Sequence, residues 1–238
     1  MITYEMFTDK GDREVNEDSV RAVCNGSYGC FVVCDGLGGH GRGDEASSVV
    51  ADEIIRCYKE FGNDDNFLEK AFESSQKLLL YEQKKRNAVM QMKTTAVVLT
   101  VSQSFIRWGY IGDTRLYMFK NSRLKERTLD HSVPQMLVLA KDIKEKDIRF
   151  HPDRNKLLRV LGSEWGSKNY DVSEKIKLKK GQAFLLCTDG FWEFIDEKSI
   201  CGILKKSSAE WLEKMVEEVK VNGKGNDMDN FSAITVIV

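Results

Sequence analysis

Phe31-Val32-Val33-Cys34-Asp35-Gly36-Leu37-Gly38-Gly39-His40-Gly41 is the stretch on which the reading of this chain turns. Its apolar run, bounded by an Asp-Gly pair, predicts a buried strand from Tyr28 to Asp35 that runs into a glycine-rich turn. Past the turn, Ala46, Val49, Val50, Ile54 and Tyr58 recur at helical intervals across Glu45 to Tyr58. A carboxylate therefore stands at the mouth of a sheet. One Asp-Gly is first of all a turn signal. Here the arrangement recurs at Asp113 and Asp189, and in reversed order at Asp229, just before a last apolar run.

Gly36, Gly38 and Gly41 also match Gly-x-Gly-x-x-Gly. A dinucleotide fold needs a second parallel strand soon after the helix. Instead Phe67, Leu68, Ala71, Phe72, Leu78 and Leu79 predict a second helix over Asn66 to Arg86, with Asn66 and Glu69 at capping-box spacing. An aspartate before the first glycine would also repel a pyrophosphate.

Upstream, strands are predicted over Tyr4 to Thr8 and Ser19 to Cys24, joined by a polar loop that holds Arg13, Glu17 and Asp18. Downstream, Thr94 to Ser102, Phe105 to Ile111, Leu116 to Lys120 and Arg123 to Arg127 are spaced as an antiparallel meander. Residues from Ser132 to Arg159 contain both prolines and only short helical pieces, Val133 to Ala140 and Lys144 to Phe150, which reads as a flap outside the core. Strands follow at Tyr170 to Leu178 and Gln182 to Thr188. Helices are expected at Ser199 to Lys205 and Ala209 to Val221, and a strand at Phe231 to Val238. This order suggests a two-sheet core with helices outside it.

With 238 residues, of which 42% are hydrophobic, the chain can bury a sizeable core, and no linker divides it. A balance of 36 basic against 37 acidic residues gives no general attraction to nucleic acid or to an anionic membrane. Six cysteines at no metal or disulfide spacing suit a reducing compartment. No apolar run approaches the ~20 residues of a membrane helix, so a cytoplasmic protein is expected.

If Asp35, Asp189 and Asp229 converge, each pair at ~4–5 Å repels by roughly 3–4 kcal/mol at an effective dielectric of about 20. Such a cluster takes up protons or binds a cation. The donors are nearly all oxygen, and the three histidines, His40, His131 and His151, are scattered. That set suits Mg²⁺ or Mn²⁺ rather than zinc. Two such ions can activate a water and clamp a phosphoryl oxygen, and Arg13 offers a fork-shaped donor for phosphate. No cysteine is followed by the arginine of a Cys-x₅-Arg loop, and no Gly-Lys-Ser/Thr follows a glycine loop. Cysteine phosphatases and P-loop enzymes are thereby set aside.

Taken in order, Arg13-x-x-Asn16-Glu17-Asp18, Val33-Cys34-Asp35-Gly36-Leu37-Gly38-Gly39-His40, Lys93-Thr94-Thr95-Ala96, Gly112-Asp113-Thr114-Arg115, Asp130-His131-Ser132, His151-Pro152-x-Arg154-Asn155, Cys187-Thr188-Asp189-Gly190 and Asp229-Asn230 span nearly the whole chain. It resembles the metal-dependent Ser/Thr protein phosphatases of type 2C, in their compact bacterial form. The resemblance implies an α+β fold, a four-layer α/β/β/α sandwich of two central antiparallel sheets flanked by helix pairs. It implies one catalytic domain over residues 1–238 with a flap at about 132–160.

The implied activity is hydrolysis of phosphoserine and phosphothreonine by a water activated at a binuclear Mn²⁺ or Mg²⁺ centre, with a third ion in bacterial members. By the same resemblance Asp35 and Asp189 are catalytic and Arg13 binds substrate phosphate. Asp35, the Gly36 carbonyl, Asp189, Asp229, Asp113 and Asp18 serve the metals, Asp18 through water. The partners implied are phosphorylated proteins, substrates of a Ser/Thr kinase, and the protein is expected to be a monomer. Leu37 stands where many eukaryotic members carry an acid histidine; His40 is not its equivalent and reads as structural, as does His131. The alternatives are a catalytically silent phosphoprotein-binding relative and a phosphatase of small phosphate esters.

Overall fold

The strand at the centre of that stretch is buried along its whole length because both of its faces are covered. Phe31 and Val33 point into a core between two sheets, whereas Cys30, Val32 and Cys34 point the other way, under helices. A period of two with both faces covered reads in sequence as one continuous apolar run.

The computed structural model describes residues 1–37, 41–62, 64–89, 91–204 and 207–238. The first half holds strands β1 (Thr3–Asp9), β2 (Ser19–Cys24), β3 (Gly29–Cys34) and β4 (Gly36–Leu37), then helices α1 (Gly43–Phe61) and α2 (Phe67–Lys85). Next come β5 (Lys93–Thr94), β6 (Ala96–Val101), β7 (Phe105–Ile111), β8 (Arg115–Lys120) and β9 (Arg123–Arg127). Helix α3 (Val133–Ala140) and a 3-10 turn (Glu145–Phe150) precede β10 (Asp171–Val172), β11 (Ile176–Lys177) and β12 (Gln182–Cys187). The chain closes with α4 (Asp189–Trp192), α5 (Glu197–Ile203), α6 (Ser208–Gly223) and β13 (Phe231–Ile237).

Among the described residues, one sheet has the order β1-β13-β12-β8-β9 and the other β10-β7-β6-β3-β2, with β11 also paired to β7. All of these pairings are antiparallel. The sheets face each other across Phe31, Val33, Leu116, Phe184, Ile234 and their neighbours. Helices α1 and α2 cover one outer face around Ile54 and Phe72, and α5 and α6 cover the other around Trp211 and Met215. This is the expected four-layer α/β/β/α sandwich.

Two local expectations fail. The meander is split: β6 pairs β7 and β8 pairs β9, but β7 and β8 lie in different sheets. Gly112 adopts φ +99 at the crossing, a conformation that favours glycine, and short-range spacing cannot tell a hairpin from a change of sheet. The strand expected over Tyr170 to Leu178 is two short pieces against one partner, β7, interrupted where Ser173 bonds the backbone at Trp108. Smaller differences lie at helix ends. Asn66 stands at the N-cap of α2 without a side-chain cap bond, so the Asn66/Glu69 capping box does not form. Ser207 does cap α6 by accepting from the Glu210 amide. The expected helix end at Lys205 lies outside the described residues.

Candidate active site

Several loops from the ends of the two sheets meet at one cleft of about 670 Å³, lined by Arg13, Val15, Glu17, Asp35, Gly36, Leu37, Asp113, Asn155, Leu157, Asp189, Asp229 and Asn230. Asp35 closes β3, Asp113 follows β7, Asp189 follows β12 and Asp229 precedes β13. The sandwich brings strand ends together that are up to about two hundred residues apart in the chain, as expected for sites set on sheet ends.

Each segment is pinned by its own neighbours. The Thr95 hydroxyl accepts from the Asp35 amide at 3.1 Å, the Thr95 amide donates to the Asp35 carbonyl at 2.9 Å, and the Thr94 hydroxyl donates to that carbonyl at 2.7 Å. Gly36 passes between two other backbone segments. A Cβ placed there would lie 2.5 Å from the Glu17 carbonyl oxygen and closer still to that of Gly43. Gly36→Ala is therefore expected to destabilise the fold by about 2–3 kcal/mol, an overpacking effect against rigid backbone. Urea unfolding midpoints unchanged from wild type would show that the segments separate freely.

Asn230 staples the loop that holds Arg13. Its side-chain amide donates to the Lys10 and Val15 carbonyls, each at 2.9 Å, and its oxygen accepts from the Glu17 amide at 2.7 Å. Asp229-Asn230 was visible as a pair, but the role of this side chain was not, since it depends on partners more than 200 residues away. Thr94, Thr95, Asn155 and Leu157 are likewise parts of the site whose roles no local sequence signal gives.

The carboxylates influence one another as the Coulomb argument requires. Burial first, then the negative charge of Asp189, Asp18, Asp113 and Asp229, holds the Asp35 carboxyl well above the usual range. Burial and then Asp189 do the same to Asp113. Burial also raises Asp189, with Asp229 adding to it, although a hydrogen bond with the Asp35 carboxyl and one from the Gly190 amide oppose the shift. Asp35 and Asp189 thus lie close enough for the protonation of one to affect the other. Burial pushes Asp18 up to about 8, against hydrogen bonds from Ser232 and Thr188.

Of the expected ligands, Asp35, Gly36, Asp113, Asp189 and Asp229 all line the cleft, whereas Asp18 does not line it but lies close enough to feel Asp189 and Asp229. The Thr188 hydroxyl donates to Asp18 Oδ2 at 3.0 Å, while Asp18 Oδ1 is buried with no hydrogen-bond partner. A buried, unpartnered carboxylate oxygen behind four other aspartates fits a hard divalent cation or its water shell, since an uncompensated polar atom is otherwise costly. Among the described residues no three of the His, Cys, Asp and Glu side chains already form a closed ligand set. Asp229 accounts for part of this. Both of its oxygens accept from Arg13, at 3.1 and 3.3 Å, and Oδ1 also takes the Asn230 amide at 2.8 Å.

Arg13 lies in the cleft as expected, but its fork grips Asp229 and, through Nη1, Asp227 at 3.2 Å. Both acids, Asp229 first, raise its pKa. Leu37 lies in the cleft wall. His131 is a bracket: its Nδ1 accepts from the Gly112 amide at 3.2 Å, leaving Nε2 to bond Asp171 at 2.8 Å, and burial lowers its pKa. His40 lies outside the described residues.

The family profile described as Protein phosphatase 2C matches residues 10–230. The chain belongs to the protein phosphatase 2C family. A curated relative, the serine/threonine phosphatase stp of Listeria monocytogenes serotype 4b, is 30% identical over 241 residues, covering 98% of this chain and 94% of that protein. The crystal structure of the serine/threonine phosphatase Stp1 of Staphylococcus aureus superposes with a TM-score of 0.88 at 26% identity, covering all of this chain and 95% of that one. The catalytic domain of the phosphatase PstP, solved in complex with two manganese ions, has the same fold, with a TM-score of 0.82 at 22% identity over 99% of this chain and 97% of that one. Two antiparallel sheets with flanking helices are thus the 2C fold, and the split between β7 and β8 is one of the points at which the chain passes from one of its sheets to the other.

Proposed function

We infer that this phosphatase 2C member hydrolyses phosphoserine and phosphothreonine in proteins, using Asp35 and Asp189 as its catalytic carboxylates and two Mn²⁺ or Mg²⁺ ions. The observation that carries the reading is the convergence of four aspartates beside a guanidinium in one cleft, with a fifth, Asp18, close enough to feel their charge and holding an unpartnered buried oxygen. Asp35, the Gly36 carbonyl, Asp189, Asp229, Asp113 and Asp18 would hold the ions, with Asp113 and Asp189 offering a place for a third. When bound, such ions acidify a water and neutralise charge on a phosphoryl oxygen.

The chain's own residues bind, orient and exclude. Arg13, 43% exposed at its side chain, is free enough to trade its carboxylate partners for a phosphate of the same bidentate geometry. Asn230 keeps the Arg13 loop beside Asp229, and Leu37 keeps an imidazole acid out of the place after Asp35-Gly36. The reading treats residues 1–238 as one catalytic domain, with residues 132–160 as a flap that brings Asn155 and Leu157 to the cleft. Its substrates are phosphoproteins of a Ser/Thr kinase, and nucleic acid and membrane have no part in it. Six free cysteines support a reducing, cytoplasmic setting. No helix among the described residues is long and apolar enough to cross a membrane. The protein acts as a monomer.

The test is release of phosphate from a phosphoserine peptide with Mn²⁺, comparing wild type with Asp189→Asn. A loss of at least about a hundredfold is expected, and equal rates would remove the reading. Arg13→Ala should raise KM about 10- to 100-fold with a smaller change in kcat, the mark of a lost ground-state contact. A defect confined to kcat would assign the arginine to another role.

A further inference from the structure

The cleft holds more than phosphate chemistry needs. Val15, Leu37 and Leu157 bring three aliphatic side chains to its wall from three separate segments, next to Arg13 and the carboxylates. Val15 is 54% exposed, and Leu37 and Leu157 are half-buried. None hangs on slack chain. The Val15 carbonyl accepts from Asn230, Leu37 pairs with Lys93 in a two-residue ladder, and Leu157 pairs with Ser132. The next amide, that of Leu158, donates to the His131 carbonyl at 2.8 Å.

A cleft of about 670 Å³ is far larger than one phosphoryl group and falls within the range of sites that enclose a sizeable ligand. Phosphate anchored between Arg13 and the aspartates would leave the residues on either side of the phosphoserine facing these aliphatic walls. Acidic flanks would find little there. Among the described lining residues Arg13 is the one cationic side chain, and in this reading it is taken by the phosphate while the carboxylates are taken by the ions; Lys93, opposite Leu37, is not a lining residue.

We propose that Val15, Leu37 and Leu157 form an apolar rim that selects phosphoprotein segments with aliphatic residues next to the phosphorylated side chain. The proposal rests on the phosphoprotein reading of the same cleft and specifies its substrate class. Apolar walls set around a fixed polar anchor discriminate by the burial each flanking side chain gains, commonly tenfold or more per well-matched group.

The experiment measures binding rather than turnover. Peptides of one sequence carry a non-hydrolysable phosphonate in place of phosphoserine, with leucine, alanine or glutamate on both sides, and their Kd is read by fluorescence anisotropy in saturating Mn²⁺. The leucine-flanked peptide is expected to bind about tenfold tighter than the alanine-flanked one, and the glutamate-flanked peptide weakest. Leu157→Ser and Val15→Ser should each bring the leucine-to-alanine ratio towards unity, whereas Leu157→Met, which keeps volume and apolarity, should preserve it. Equal affinities for the leucine and alanine peptides, or a ratio unmoved by both serine variants, would overturn the proposal. Turnover of p-nitrophenyl phosphate by wild type is scored separately. Its absence counts against the phosphatase reading, while the affinity ratios still decide the rim.

Discussion

Asp35→Asn is expected to reduce phosphate-ester turnover by at least about a thousandfold, some 4 kcal/mol of transition-state stabilisation, and yet to raise the melting temperature of the chelated protein. Both effects come from one placement. Asp35 is half-buried, its carbonyl and amide are locked by Thr94 and Thr95, and its carboxyl feels four other aspartates. It is one of the two carboxylates proposed as catalytic and one of the groups that would hold the ions.

As a carboxylate without a cation it is a burden on the fold. A carboxyl whose pKa is raised in the folded state binds more protons folded than unfolded. Its stabilising contribution is complete below the unfolded value and is lost as pH rises through the folded value. Asp35, Asp113, Asp18 and Asp189 all shift upward, Asp18 to about 8. The chelated wild type should therefore lose thermal stability as pH rises from about 4 through about 8, the range over which Asp18 gives up its proton.

Asparagine keeps the shape and a hydrogen bond while removing one charge. A gain of about 2–4 °C at pH 8 is expected, as for ~1 kcal/mol in a domain of this size. Mn²⁺ should raise the melting temperature of wild type by mass action and that of Asp35→Asn far less. Thermal melts across pH, with chelator and with Mn²⁺, test the whole argument. An unaltered or lower melting temperature for chelated Asp35→Asn would mean that the carboxylates do not strain one another.

Arg115→Met should cost about 3–5 kcal/mol, the penalty for leaving a buried charge without its partner. Arg115 is 3% exposed and donates to both oxygens of Asp130, at 2.9 and 2.6 Å, and to the Tyr117 hydroxyl at 3.1 Å. Its guanidinium lies 3.5 Å from the centre of the Trp192 ring, and Trp192 Nε1 donates to the Asp113 carbonyl at 3.0 Å. Arg127 also reaches Asp130 at 3.1 Å, so the carboxylate keeps one partner and the cost should fall towards the lower end of the range. Adding Asp130→Asn should recover at least half of the loss by removing the orphaned charge. Chemical denaturation of the single and double variants measures this. A single-variant cost under about 1 kcal/mol, the size of a surface pair, would show that water reaches the site.

Arg115 marks where reading by sequence gives out. In Gly112-Asp113-Thr114-Arg115 the aspartate reads as one more strand-end carboxylate, while the arginine is part of the motif with no role assigned to it. Its partner Asp130 lies across the β8–β9 hairpin, and its stacking surface is 77 residues on, at Trp192. Nothing in the local pattern distinguishes such a buried arginine from an exposed one. Arg13 shows a related limit: its place in the cleft was legible from the motif, but its grip on Asp227 and Asp229 was not.

The linear order of residues was sufficient for the elements and for the kinds of atom at the site. Alternation with both faces apolar marks a central strand, helical spacing marks a covering helix, and an Asp beside a Gly at a strand end marks an acidic loop. These are short-range regularities, set by the backbone's own periods. Folding in three dimensions decided which strand ends meet, since β7 and β8 adjoin in the chain yet part into different sheets, while β3 and β12 bring Asp35 and Asp189 into one cleft. It also decided which charges are buried, because desolvation depends on what distant segments pack over a group, and no window of sequence contains that.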